Sequence, residues 1–256
     1  MQGSNPYKSS ELELDESEEA HHGLGFTAIS DKTGYITRTT FAATYAYHMP
    51  ITLHTNISAG ILAGATNVYL DNSKIEWANL DPNDPAVGFN KGDIMRSKFE
   101  MGAGVWLYGR NYFVGTSVLN IVPGKVNFVE SENYGESFKP QMFFQAGYKY
   151  SFTKDLSVLP SVAVFQVSPF PTMAYFNAKL QYQDLVWIGG GYALKDELSG
   201  NTFMAGLNIA HSINIGYSYS TTSDKKLSSY TGNTHEFVIG FVIGNKYGDS
   251  CPRNLW

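Results

Sequence analysis

Residues 235–256 read HEFVIGFVIGNKYGDSCPRNLW, and this last stretch of the chain decides the fold. Large apolar side chains stand at every second position of its first half: Phe237, Ile239, Phe241 and Ile243. The positions between them hold small or polar residues: Glu236, Val238, Gly240, Val242 and Gly244. A period of two predicts a β-strand with two unlike faces. A polar tail that carries the only cysteine follows this strand.

The same alternation recurs along most of the chain. It is clear in KFEMGAGVWLYG (98–109) and in QMFFQAGYKY (141–150), where apolar residues alternate with Gly, Gln, Lys and Glu. Applied throughout, the pattern predicts about twelve strands. They lie near residues 22–30, 36–48, 54–69, 95–108, 112–122, 140–152, 156–167, 172–183, 185–194, 202–210, 212–221 and 234–245.

The composition favours strands that cross a membrane. The chain has 17 Tyr, 16 Phe and 25 Gly, but only 16% of its residues are charged. An ordinary soluble domain has roughly 25% charged residues. A chain rich in aromatic residues and glycine, poor in charge and never continuously apolar is typical of an antiparallel up-and-down transmembrane β-barrel. A soluble β-sandwich is the alternative that composition alone leaves open.

The two faces of the strands favour the barrel. The lean face combines glycine with polar residues, although glycine weakens an ordinary strand. A barrel lumen accepts glycine because bulky inward side chains need small neighbours, and Trp106, Phe143 and Tyr175 fall on this face. The apolar face ends in tyrosines, as expected for an aromatic girdle at a membrane interface: Tyr45, Tyr47, Tyr148, Tyr150, Tyr217 and Tyr219.

The connections between predicted strands alternate in length. Short turns fall at one rim, and longer stretches such as 70–94 and 123–139 fall at the other. Outer-membrane barrels have short periplasmic turns and long external loops. We therefore expect a transmembrane β-barrel over 21–245 and a periplasmic tail over 246–256. Residues 1–20 are acidic without an apolar face, and we expect an irregular segment there.

Several classes of protein are disfavoured by the sequence. No apolar run of about 18 residues exists, so no helix is expected to span a membrane. The first residues lack the basic start and apolar core of a signal peptide. The net charge of -5 disfavours a nucleic-acid partner. A single cysteine excludes an internal disulfide framework.

Candidate metal-binding and catalytic groups are few and scattered. His48 and His54 flank one turn and His211 lies at another, but a zinc site needs three or four convergent ligands. Two further groups are equally weak candidates for metal binding: the pair His21 and His22, and the acids Asp81 and Asp84 in DPNDP (81–85). A catalytic centre could use only His235 and Glu236 with Ser228 and Ser229. We therefore expect no metal, no cofactor and no catalytic residues.

The C-terminal stretch resembles a known family. The last strand begins with Thr234, His235 and Glu236, and the tail contains Cys251, Pro252, Arg253 and Trp256. Both features resemble those of the PorP/SprF outer-membrane barrels of the Bacteroidetes type IX secretion and gliding system. The stretch GLGFTAISDKTGYITRTTFAATYAYHMPI, with ISAGI (57–61), DPNDPAV and YFVGTSVLNI, is similar to further family segments. The resemblance covers about residues 22–256. It departs from the family in lacking a signal peptide and an Asn-Pro-Ala-Tyr-like segment, so about two N-terminal strands are expected to be missing from a barrel of about fourteen.

The resemblance implies a non-enzymatic role at the bacterial outer membrane. Family members help to secrete, dock or anchor surface proteins such as adhesins, together with other secretion components. The implied partners are therefore a secreted surface protein, components of the type IX system and outer-membrane lipid. A passive outer-membrane channel for small or hydrophobic solutes is the alternative, since the barrel pattern fits it equally well.

Candidate partner-binding residues follow from the two longest connections. Exposed aromatic residues on polar loops are enriched at interfaces. The stretches 70–94 and 123–139 contain five of them: Trp77, Phe89, Phe128, Tyr134 and Phe138. These residues either contact a partner or fold back to cap the barrel. The tail residues Cys251, Pro252, Arg253 and Trp256 are expected to have a structural or docking role.

Overall fold

The computed structural model describes ten ranges of the chain: residues 20–71, 94–109, 111–122, 124–127, 135–168, 171–183, 185–194, 199–209, 213–222 and 233–241. All the regular structure in these ranges consists of β-strands. Within them, no helix has the length and apolar character needed to cross a membrane.

The strands follow one another along the sequence in a simple order. They are β1 (His21–Thr33), β2 (Ile36–Thr52), β3 (Thr55–Leu70), β4 (Ile94–Gly109), β5 (Tyr112–Leu119), β6 (Gly124–Asn127), β7 (Gly135–Phe138), β8 (Gln141–Tyr148), β9 (Tyr150–Ser151), β10 (Leu156–Val167), β11 (Met173–Tyr182), β12 (Val186–Leu194), β13 (Gly200–Ile209), β14 (Ile213–Thr222) and β15 (Thr234–Phe241). All except β6 and β7 belong to one 13-stranded antiparallel sheet. Each strand of that sheet pairs with its neighbours in chain order, apart from β9, which continues the line of β8 along β10.

The predicted up-and-down antiparallel all-β fold is confirmed, and each of the twelve predicted strands has a counterpart. The predicted strand 140–152 is divided at Lys149, whose backbone N–H bonds instead to the carbonyl of Asn111 at 2.6 Å. The prediction of 123–139 as a plain connection was incomplete, because β6 and β7 form a separate hairpin there. Their sequences, GKVN and GESF, are too short and too irregular in polarity to give a period-two signal.

The described sheet has two edges, β1 and β15. No ladder joins these two strands within the described ranges, so the sheet is open between them. The predicted extension of the last strand from Phe241 to residue 245 lies outside the described residues, as do the 1–19 segment and the 246–256 tail.

The register places the side chains on two chemically different faces. Tyr108 is 3% exposed and lies on the same face as the buried Lys98, Leu159 and Gln181; we call this the inner face. Phe237 and Ile239, 77% and 63% exposed, lie on the opposite, outer face. The predicted division between a large apolar face and a lean inner face is therefore what the sheet shows.

The outer face of β2, β3 and β4 carries a band of apolar residues. The parts in register cover 41–49, 57–65 and 99–107, and on β2 the exposed Ile51 continues the band at a bulge. A transmembrane strand needs about 9–11 residues. At one end the band stops at a paired row of polar residues, where the Ser97 hydroxyl donates to Asn67 Oδ1 at 2.6 Å: Ser30, Thr39, Asn67 and Ser97. Strands β1–β4 continue beyond this row, so their ends extend past the apolar band; we call these ends the β1–β4 extension.

A pair of adjacent substitutions in β15 tests the two faces. Ile239→Arg places a charge on the apolar outer face, and we expect it to weaken membrane insertion by about 2–4 kcal/mol if it lies near the bilayer centre. Gly240→Ser should be mild, because a side chain there would meet only Asn214, at 3.7 Å or more. Urea titration of the protein folded into liposomes measures both, and equal losses would contradict the assignment of faces.

Candidate functional site

The strand ends form two rims that differ in the length of their connections. Short turns join β2 to β3, β4 to β5, β9 to β10, β11 to β12 and β13 to β14 at the short-turn rim. The opposite rim carries the stretches 71–93, 120–140 and 223–233; we call it the long-connection rim. The tight turn between β1 and β2, also at that rim, uses Gly34 at φ 61°, a left-handed conformation that suits glycine.

The predicted partner-binding residues belong to the long-connection rim by connectivity. Trp77, Phe89, Phe128 and Tyr134 lie outside the described residues, and of Phe138 only its place in β7 is described. Cys251, Pro252, Arg253 and Trp256 also lie outside the described ranges. Their roles therefore stay predictions.

A polar network occupies the inner face beneath the long-connection rim. The hydroxyls of Thr40 and Thr66 are 2.6 Å apart, and Thr66 donates to Glu100 Oε1 at 2.7 Å. Lys98 Nζ donates to Asn120 Oδ1 at 2.6 Å and lies 3.9 Å from Glu100 Oε1. A buried charge is costly unless it is paired and hydrogen-bonded, so Lys98 is stabilised by these contacts. The same contacts link β2, β3 and β4 to the end of β5.

Sequence reasoning placed Lys98 and Glu100 on the lean face but did not find their partners. Asn120 follows β5 and has a φ of 56°, a left-handed conformation that asparagine tolerates better than most residues. Its amide lies on the inner face as a result. The partners come from four separate strands or strand ends, so only the register of the sheet brings them together.

Aromatic side chains fill part of the inner face. Trp106 stacks on Phe113 with ring centroids 5.1 Å apart, and Phe165 makes edge contacts with Phe143 and Tyr175. The inward positions predicted for Trp106, Phe143 and Tyr175 are confirmed. Lys179 Nζ lies 4.8 Å from the Trp187 ring, within the range of a cation–π interaction.

Glycines opposite the two inner tryptophans leave room for the indole rings. Trp106 pairs with Gly115 across β4 and β5, and Trp187 pairs with Gly206 across β12 and β13. A Cβ at either glycine would overlap the facing ring. The glycine content of the lean face therefore has a packing reason.

Two of the described histidines contact each other on the inner face. His21 stacks on His48 with centroids 4.7 Å apart, and His48 Nδ1 is 3.0 Å from the Tyr108 hydroxyl. Across the described ranges, no group of three or more His, Cys, Asp and Glu side chains could hold a metal ion. His211 lies outside those ranges.

The only candidate catalytic pair does not converge. His235 lies on the outer face, where its Nδ1 is 2.9 Å from the Tyr217 hydroxyl. Glu236 lies on the inner face and accepts a bond of 3.1 Å from Ser218. Adjacent residues of a strand face opposite ways, so these two cannot act on one substrate atom.

The fold belongs to the class of transmembrane β-barrels, of which the described strands form an antiparallel up-and-down sheet. A FadL homologue of Pseudomonas aeruginosa has a similar fold, with a TM-score of 0.50 and 9% identity over 81% of this chain and 68% of that one. The toluene transporter TbuX of Ralstonia pickettii gives a TM-score of 0.49 and 12% identity over 87% of this chain and 76% of that one. The chain belongs to the PorP/SprF family of type IX secretion system membrane proteins, whose family model matches residues 5–241. No curated protein matches the sequence.

The family match confirms the resemblance seen in the sequence but has different limits. It begins at residue 5, before the expected start near residue 22, and ends at Phe241, the last residue of β15. The tail residues Cys251 to Trp256 therefore lie beyond the matched range. The family is described as one of type IX secretion system membrane proteins.

Replacing one inner glycine tests the packing of the inner face. Gly115→Val would displace the Trp106 ring, and we expect a loss of about 1–3 kcal/mol, as in other overpacked interiors. Gly240→Val, also on the inner face, is the matched control, because the atom nearest to a Cβ there is Asn214 Cβ at 3.7 Å. Urea unfolding in liposomes measures both. If Gly240→Val costs as much as Gly115→Val, the loss does not come from the tryptophan.

Cysteine labelling tests the orientation of the two rims. With Cys251 changed to Ser, a cysteine introduced at Ser223 or Glu132 should react with an impermeant maleimide on intact cells. Cys251 of the native chain should react only after the outer membrane has been opened. The opposite pattern would place the long-connection rim in the periplasm.

Proposed function

We propose that this protein is a non-enzymatic outer-membrane β-barrel that helps to secrete, dock or anchor surface proteins, such as adhesins, of the type IX secretion system. Its membership of the PorP/SprF family carries this proposal. The proposed location is the outer membrane of a Gram-negative bacterium of the Bacteroidetes. The proposed partners are a secreted surface protein, other components of the secretion system and the surrounding lipid.

The β1–β4 extension supports a partner site at the long-connection rim. Its outer face carries Lys32, Thr37, Tyr69 and Met95, and its inner face carries Asp31, Arg38, Val68 and Arg96. Charged side chains therefore stand on both faces of the extension, which suits contact with water, unlike the outer face of the band below it. The stretch 71–93, with Trp77 and Phe89, joins the ends of β3 and β4 and so begins and ends on this extension.

The hairpin β6–β7 supports the same rim. Phe128 and Tyr134 belong to the connection between its two strands, and Phe138 ends the second strand. Interfaces are enriched in aromatic residues of this kind. We propose that the five aromatic residues of the two stretches contact the surface protein, and that the tail at 251–256 faces periplasmic components.

The passive channel remains the competing function. A channel needs an open lumen lined by groups that suit its solute. The aromatic side chains and the Lys98 network on the inner face reduce the open space, which favours docking. Conductance in planar bilayers separates the two functions, since a docking barrel should give little or no steady current.

Photo-crosslinking tests the docking function. Photoreactive residues at Trp77 and Tyr134 should trap a large secreted surface protein on living cells, because both positions belong to the proposed contact region. A photoreactive residue at Ile239, on the apolar outer face, is the matched control and should trap lipid instead.

Removing the two connections tests whether they are needed. Replacing 72–92 and 128–134 with short Gly-Ser linkers should leave the barrel in the membrane, while the surface protein is lost from the cell surface. Heat-modifiable migration on gels checks that the barrel has folded. Retention of the surface protein by this variant would contradict docking at the long-connection rim.

A further inference from the structure

Two groups of side chains on the outer face share one arrangement, in which a histidine lies against two tyrosines of the next strand. In the first group, His22 of β1 lies directly opposite Tyr47 of β2. The ring centroids of these two residues are 5.0 Å apart. Nδ1 of His22 is 2.7 Å from the hydroxyl of Tyr45, two residues before Tyr47. We call His22, Tyr45 and Tyr47 the short-rim triad, because β1 begins and β2 ends at the short-turn rim.

The second group has the same register and nearly the same distances. His235 of β15 lies directly opposite Tyr219 of β14, and their ring centroids are also 5.0 Å apart. Nδ1 of His235 is 2.9 Å from the hydroxyl of Tyr217, again two residues before the opposite tyrosine. We call these three residues the long-rim triad, because β14 ends and β15 begins at the long-connection rim. The recurrence of one arrangement at both rims indicates that the two triads meet the same environment.

Both triads stand at the border of the apolar outer surface. Along each strand the histidine is followed by apolar outer-face residues, all of them at least 63% exposed: Leu24, Phe26, Phe237 and Ile239. Tyrosines at such a border lie at the level of the lipid headgroups. The outward face of every strand of a barrel meets lipid. A further strand beside β1 or β15 would therefore leave both triads at the lipid surface.

Each histidine has a second ring nitrogen that can bind a ligand. Nδ1 of His22 and of His235 is hydrogen-bonded to a tyrosine, whereas no group in the described ranges bonds to Nε2 of either ring. A neutral imidazole has one donor and one acceptor nitrogen, so Nε2 carries the proton when the tyrosine hydroxyl donates to Nδ1. The Tyr219 hydroxyl accepts a bond of 2.6 Å from Asn233, which leaves its own hydrogen available to a ligand. A triad therefore offers two kinds of donor, an imidazole N–H and a tyrosine hydroxyl.

The surroundings of the triads suit a negatively charged acceptor. Across the strands, the tyrosines are paired with apolar outer-face residues, which do not repel an anion as a carboxylate would: Leu24, Ala59, Phe203 and Phe237. Hydrogen bonds to a charged acceptor are stronger than those between neutral groups. The headgroup region supplies such an acceptor at a fixed depth, because each phospholipid carries a phosphate there.

We propose that each triad binds the phosphate group of a membrane lipid through the Nε2–H group of its histidine and the hydroxyl of its opposite tyrosine, Tyr47 or Tyr219. The other tyrosine, Tyr45 or Tyr217, bonds to Nδ1 and so orients the imidazole. One lipid phosphate at each surface of the bilayer then fixes the depth at which the sheet lies in the membrane. This binding is independent of the proposed docking function.

Solid-state nuclear magnetic resonance tests the proposal. The protein, with isotopically labelled nitrogen in its histidine rings, is folded into liposomes of phosphatidylethanolamine, and dephasing of each ring nitrogen by lipid phosphorus is measured. Dipolar coupling falls with the cube of the distance, so only a phosphate in contact gives strong dephasing. Nε2 of His22 and of His235 should be dephased. His21, the preceding residue on the inner face, is the matched control and should not be dephased.

Substitutions assign the contact to the triads. His22→Phe and His235→Phe should each remove one of the two dephased signals. Tyr45→Phe removes the hydroxyl that orients His22, so the dephasing at His22 should be lost while that at His235 is unchanged. Tyr148→Phe is the matched control, because this exposed outer-face tyrosine belongs to neither triad, and both signals should remain. Heat-modifiable migration on gels confirms that every variant has folded.

The contrary outcomes each overturn the proposal. An absence of dephasing at His22 and His235 would mean that no phosphate contacts the triads. Equal dephasing at His21 would mean that phosphorus reaches both faces without a specific site. Unchanged dephasing at His22 in the Tyr45→Phe variant would mean that the histidine binds without its tyrosine. In liposomes of a phosphorus-free glycolipid, dephasing by added inorganic phosphate would assign the triads to a free anion instead of a lipid.

Discussion

Inside a bilayer, every backbone N–H and C=O must be hydrogen-bonded to protein, because no water is available to replace a missing partner. Most of the architecture follows from this constraint. Each strand of the large sheet pairs with its neighbours in chain order, which is the simplest way to satisfy long stretches of backbone. The pairing also fixes which side chains share a face, since a slip of one residue would reverse the faces of a whole strand. Within the described strands, β1 and β15 each have a hydrogen-bonded partner on one side only.

The strands could be predicted because alternate residues face lipid and lumen. Lipid favours apolar side chains, and the lumen favours small or polar ones. The band at 57–65 and the pair Trp106 and Gly115 both follow the period of two, so their faces could be read from the sequence. The hairpin β6–β7 could not be predicted in this way, since its four-residue strands do not alternate between apolar and polar residues. The contact of Lys98 with Asn120 was also hidden, because it depends on register and on a left-handed residue after β5.

The candidate site was predicted only in outline. The inward positions of Trp106, Phe143 and Tyr175 follow from alternation, whereas the pairing of Trp106 with Gly115 and of Trp187 with Gly206 depends on the register between strands. The aromatic residues of 70–94 and 123–139 were selected by composition alone, so their role rests on the family and on the rim to which they belong.

The β1–β4 extension makes the wall of the sheet uneven in height. The described parts of the strands from β11 to β15 have 8–10 residues, whereas β2, β3 and β4 have 16 or 17. A partner held at the taller side is therefore attached away from the centre of the sheet, so a pull on it acts through a lever arm. The bilayer resists the resulting tilt, because tilting moves apolar bands out of the hydrocarbon. A load on such a partner would be converted into torque against the membrane, rather than into a straight extraction force on one strand.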